Sequence, residues 1–103
     1  MALMGAPRYL CSQLVRLAVS AGNAEWVNLE EIWDDGAMLD CENEVELGLS
    51  AIISADDAEF SGGITAVEQY EFGWRVEMTF SPATRWTIEK WRPEHAVDAD
   101  RLK

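Results

Sequence analysis

Residues 74–80, Trp74-Arg75-Val76-Glu77-Met78-Thr79-Phe80, alternate apolar and polar side chains without a break. That period of two puts Trp74, Val76, Met78 and Phe80 on one face of a strand and leaves Arg75, Glu77 and Thr79 on the other. A second alternation runs upstream, where Val45, Leu47, Leu49, Ala51 and Ile53 interleave with Glu46, Gly48, Ser50, Ile52 and Ser54. It predicts another half-buried strand.

Outward from these two, weaker strand signals cover Gln13–Val19, Trp26–Ile32, Gly36–Cys41 and Phe60–Glu68. Turn-prone groups punctuate them: Ser20-Ala21-Gly22-Asn23, Asp34-Asp35-Gly36, Glu42-Asn43-Glu44 and Ala55-Asp56-Asp57. Leu10, Leu14, Leu17 and Ala21 also fit a helical stripe, so the first segment reads either way; the short distance to the next turn favours a strand. After Phe80 the pattern changes. Ser81-Pro82 offers a cap and a proline suited to the first helical turn, which predicts a short helix over Arg85–Trp91, stopped by Pro93. Six short strands and one terminal helix point to a small all-β barrel or sandwich, because closure hides sheet edges.

The chain has 103 residues, enough for a single domain, and a formal net charge of −11. The charge is unevenly placed: residues 17–74 hold 14 acids and no base, between weakly basic ends. Such a surface excludes binding of a nucleic-acid polymer or an anionic membrane through a general basic field, and any anionic ligand has to be captured locally. Residues 1–6 are too short for a signal peptide and no apolar run approaches the roughly 20 residues that span a bilayer, so a cytoplasmic protein with reduced Cys11 and Cys41 is expected.

No catalytic constellation assembles. His95 is the single histidine, and the two cysteines stand thirty positions apart, so neither a nucleophile pair nor zinc-ligand spacing exists. Glu31, Asp35, Gly36 and Glu42 fall at positions 1, 5, 6 and 12 of a calcium-loop register, but Trp33 and Leu39 occupy ligand positions and the flanks read as strands. No enzyme activity, metal or cofactor is expected.

The order of signals resembles the PilZ domain family, bacterial modules of about this size whose best-known members bind cyclic di-GMP. An arginine-containing arm, Arg8-Tyr9-Leu10-Cys11-Ser12, precedes the first strand; Glu31-Ile32-Trp33-Asp34-Asp35-Gly36 stands where the family has an Asp-x-Ser-x-x-Gly turn; and Val45–Leu49 and Ile64–Phe80 are similar to its glycine-bearing strand and closing hairpin. The resemblance implies a six-stranded antiparallel barrel over residues 13–80, an N-terminal arm over 1–12, and a C-terminal helical segment and tail over 81–103.

At the ligand positions the chain departs from the family. Where members that bind the dinucleotide carry an Arg-x-x-x-Arg pair that clamps phosphate and stacks on guanine, this sequence has Arg8 and Ser12, and the next arginine is Arg16. Glu31 replaces the aspartate, Trp33 the serine, and Gly36 alone survives. The expectation is a degenerate, non-enzymatic signalling or protein-interaction module with weak or no cyclic di-GMP binding, whose partner is another protein or a second copy of itself. The competing reading is a receptor with a non-standard site built from Arg8, Glu31 and Gly36, with Arg16 as a displaced helper. Among five tryptophans, Trp33 with Trp86 or Trp91 is the candidate exposed aromatic patch.

Overall fold

A computed structural model describes residues 8–20, 22 and 24–99. Among the described residues seven strands form: β1 (Tyr9–Val19), β2 (Glu25–Trp33), β3 (Gly36–Cys41), β4 (Ser50–Ala55), β5 (Ala58–Tyr70), β6 (Gly73–Phe80) and the two-residue β7 (Val97–Asp98). The order β2-β3-β6-β5-β4-β1 closes on itself because β1 also pairs with β2. Every pairing is antiparallel. The result is a six-stranded all-β barrel, with β7 added beside the start of β1.

Alternation fills the interior. Val15 and Leu17 from β1, Val27 and Leu29 from β2, Leu39 from β3, Ile53 from β4, Phe60 and Ile64 from β5, and Val76, Met78 and Phe80 from β6 are all buried. Phe60 and Phe80 stack with ring centroids 5.2 Å apart. At about 25 cal/mol per Å² of apolar surface removed from water, this interior is the main driving force for closure.

Three sequence expectations are corrected. The strand predicted over Val45–Ile53 begins only at Ser50, because Gly48 takes φ +91° and turns the chain, leaving Leu47 61% exposed while Val45 stays buried. The backbone N–H of Gly48 and carbonyl of Leu49 instead bond to Ile64.

No helix spans Arg85–Trp91. A single 3-10 turn, Pro82–Thr84, ends at Arg85 in extended backbone. Two competing anchors explain this. The Thr84 hydroxyl exchanges hydrogen bonds with the backbone of Ser61 at 2.9 and 3.1 Å. Trp86 is buried, its backbone N–H bonded to the Asp34 carbonyl at 2.8 Å and its indole Nε1 to the Trp91 carbonyl at 2.8 Å. Thr84 and Trp86 at the start of the segment are thus held by Ser61 and Asp34 across the fold, and the Trp86 indole ties down the Trp91 carbonyl.

Residues 9–12, expected in the arm, belong to β1: Tyr9 and Leu10 pair with Ile32 and Glu31. Residues 1–7 of the arm, the turn positions 21 and 23 and the tail at 100–103 lie outside the described residues. No helix among the described residues is long and apolar enough to cross a membrane.

Candidate functional site

The hairpin joining β2 to β3 gathers most of the positions that the sequence singles out. Val27 and Leu29 point into the barrel, but the register of β2 slips between Leu29 and Glu31, on both the β1 and the β3 side. Such a bulge re-aims every side chain beyond it. Ile32 therefore enters the core, and Glu31 and Trp33 come to the outer surface, where period-two counting from Val27 would have put them inside.

On that surface Trp33 lies across Gly36, its cross-strand partner. Arg8 covers it from the other side, with the guanidinium carbon 4.0 Å from the ring centroid. The same guanidinium donates to the Glu31 carboxylate at 3.4 Å. Trp33 is left only 8% exposed. This overturns its reading as part of an exposed aromatic patch; Trp86, at 2%, is deeper still. Arg8, Glu31, Trp33 and Gly36 are thus brought together, as a closed stack.

Arg16 is not part of it. It sits eight residues along β1, opposite Trp26 on one side and Ser54 on the other. At about 3.3 Å per residue that is about 26 Å from Arg8, too far to help at the hairpin.

The hairpin loop is tied down elsewhere by residues that the sequence reading passed over. Asp35 and Asp34 offer their carbonyls to the N–H groups of Phe80 and Trp86 at 2.7 and 2.8 Å. The Asp34 carboxylate pairs with Arg85. Tyr9 meets Trp86 edge to face, with centroids 5.4 Å apart. No local motif announces these contacts, since Arg85 stands 51 positions from Asp34.

The electrostatic consequence is direct. Two guanidiniums stand at the hairpin, and each is already bonded to one of the hairpin's own carboxylates. A phosphate would have to displace Glu31 or Asp34 before either arginine could receive it. Nearby, burial first, then the charges of Glu30 and Glu31, pushes the Cys11 thiol up to about 12. It is therefore a poor nucleophile. Among the described residues no group of three histidines, cysteines or acids is placed to hold a metal ion. Comparisons of the chain with protein-family models, curated proteins and solved structures return no match.

Proposed function

We propose that this barrel is a non-catalytic PilZ-like module, degenerate at its ligand site, that acts through protein contact and binds cyclic di-GMP weakly or not at all. The observation that carries the reading is the occupied Arg8: its guanidinium is stacked on Trp33 and paired with Glu31, so the chain itself fills the place of a base and of a phosphate. A closed six-stranded antiparallel barrel, the architecture that the resemblance implies, is consistent with it. The second reading, a receptor with a non-standard site, is favoured by one fact: Arg8, Glu31 and Gly36 do converge on one patch. Opening that patch means lifting only Arg8, whose side chain is half exposed, off Trp33 and Glu31.

Calorimetric titration with cyclic di-GMP decides between them. The expected outcome is no saturable heat at ligand concentrations up to about 100 μM, a range in which a functional receptor of ordinary affinity is saturated. Tight binding that Arg8→Ala abolishes, accompanied by a change in Trp33 emission that Trp33→Phe removes, would overturn the first reading in favour of the second.

A further inference from the structure

β5 is longer than the strand beside it. It runs Ala58–Tyr70, but β4 pairs with it only as far as Gly63, where Ser50 stands opposite. The Gly48 N–H and the Leu49 carbonyl add two bonds to Ile64, and there the chain turns away, with Gly48 at φ +91°. On its other side β5 is covered by β6 all the way to Tyr70. From Thr65 onward it therefore has a strand partner on one side only among the described residues.

The hairpin fixes which backbone groups are left over. Tyr70 pairs with Gly73 across the two-residue turn Glu71-Phe72, so these two exchange both of their backbone hydrogen bonds. Alternation gives the same pattern to Glu68 with Arg75 and to Ala66 with Glu77. Val67 and Gln69 are turned the other way. Their N–H and C=O groups point out from the sheet edge and meet no backbone partner among the described residues. Two donors and two acceptors are thus presented in line, the residues about 7 Å apart.

The side chains around this edge follow a pattern. Val67 is partly buried against the core, whereas Glu68, on the opposite face of the strand, is exposed. Glu42, Glu44, Glu46, Glu68 and Glu71 are all exposed, and the segments that hold them, residues 42–49 and 65–73, contain no lysine or arginine. None of the five is ion-paired among the described residues. Arg75, opposite Glu68 on β6, lies over the Tyr70 ring, 5.4 Å from its centroid. Leu47, 61% exposed, and Phe72, 83% exposed, stand at the two turns that bound the open stretch.

We propose that the open edge of β5 is a docking site for an extended, basic segment of a partner protein. The segment adds as a strand beside residues 65–70, in the place that β4 would fill had the chain not turned at Gly48. Such a site gives the protein-contact reading above, on which it rests, a surface and a partner chemistry. Added strands take their affinity from main-chain bonds, and Val67 and Gln69 offer four such groups. Side chains of the incoming strand that share the face of Val67 lie on the barrel side and are apolar; those on the other face meet Glu68 and are lysine or arginine. Charge also says what does not dock. A second copy of this chain paired through the same edge brings glutamates against glutamates, and like charges directly opposite one another destabilise a strand pair. The carboxylates thus keep the edge from pairing with its own kind while they attract a cationic strand.

The probe is a short fluorescent peptide alternating lysine and valine, titrated with the full chain by anisotropy and by amide NMR. Saturable binding that weakens as salt rises is expected. In the free chain the amides of Val67 and Gln69 should exchange fast while that of Glu68, bonded to β6, is protected; the peptide should slow exchange at Val67 and Gln69. Gln69→Pro removes an outward N–H that β6 does not use, and should weaken binding by about tenfold or more. Glu68→Gln combined with Glu71→Gln, which leaves the backbone alone, should also weaken it, and Leu14→Ser, at an exposed apolar residue on β1, should leave it unchanged. A peptide alternating glutamate and valine should not bind. Circular dichroism confirms that each variant keeps the barrel. Failure of the lysine peptide to bind, equal binding of the glutamate peptide, binding that survives both Gln69→Pro and the double glutamine variant in folded proteins, or sedimentation showing self-association through this edge overturns the proposal. Each of these outcomes is separate from the titration with cyclic di-GMP, because a chain that bound the dinucleotide through Arg8 would still leave β5 open.

Discussion

The indole of Trp33 occupies the space that a side chain on Gly36 would need. A Cβ on Gly36 would stand 2.8 Å from the ring and 2.7 Å from the carbonyl oxygen of Met78. The backbone oxygen cannot move without breaking the pairing of β3 with β6. Gly36→Ala should therefore destabilise the barrel by about 1–3 kcal/mol, the usual cost of overpacking, read as a lower urea midpoint. Gly36 is thus retained here for packing, whether or not a ligand ever meets it. A midpoint equal to wild type would show that both the Trp33 indole and the β3–β6 pairing at Met78 give way at little cost.

This stack also shows where sequence reading succeeds and stops. Val76, Met78 and Phe80 are buried as their alternation requires, since β6 pairs without interruption with β3. The same counting fails in β2, where the bulge after Leu29 shifts the face of Trp33, and before β4, where Gly48 turns the chain. Period-two counting assumes an unbroken strand, and bulges leave no periodic signature. Ser81-Pro82 does start a helical turn, as its residue types favour, but Thr84 and Trp86 are held by Ser61 and Asp34 across the fold. Arg8, Glu31 and Gly36 meet because the start of β1 pairs with the end of β2 and Trp33 pairs with Gly36. Nothing in the order of residues said that Arg8 would be used up by Trp33.

The two thiols make a prediction about alkaline pH. Burial first, then Glu25 and Asp40, pushes the Cys41 thiol up to about 12, as burial does for Cys11. At pH 8 this leaves about one thiol in ten thousand ionised, so a thiol reagent should react slowly with the folded chain and fast after unfolding. In the unfolded chain the thiols ionise near 9.0; in the folded chain they do so only at about 12. Their contribution to stability is fully present below pH 9 and is lost as pH rises towards 12. Urea midpoints measured from pH 8 to 11 should fall, and should fall less in a Cys11→Ala, Cys41→Ala double variant.

Tyr70 should titrate late for a different reason. Its hydroxyl donates to the Asp40 carboxylate, and this bond, followed by partial desolvation and the Asp40 and Glu30 charges, raises it to about 12. Arg75, 5.4 Å from the ring centroid, opposes the shift. Asp40→Asn removes both the anion and its charge-assisted bond, so the tyrosinate absorbance should appear at lower pH, towards the ordinary value of 10.0. Comparison with Tyr70→Phe separates this titration from that of Tyr9. An unchanged Tyr70 midpoint in Asp40→Asn would mean that the bond does not form in solution.

The neighbours Gly62 and Gly63 should respond to alanine in opposite directions. Gly62 pairs with Phe80 at the end of β6, and a Cβ there would meet the Thr79 carbonyl oxygen at 1.9 Å and the Phe80 Cα at 2.8 Å. Both are backbone atoms of the adjoining strand, so relief requires β5 and β6 to part, and Gly62→Ala should cost about 3 kcal/mol, at the upper end of overpacking. Gly63 faces a hollow in the barrel wall, and its nearest neighbour is 3.7 Å away. With no steric objection and no positive φ to preserve, Gly63→Ala should stabilise by about 0.4–1 kcal/mol, because alanine narrows the unfolded ensemble. Thermal unfolding of the two single variants is the check. Loss of stability in Gly63→Ala would mean that neighbouring side chains fill the hollow in solution.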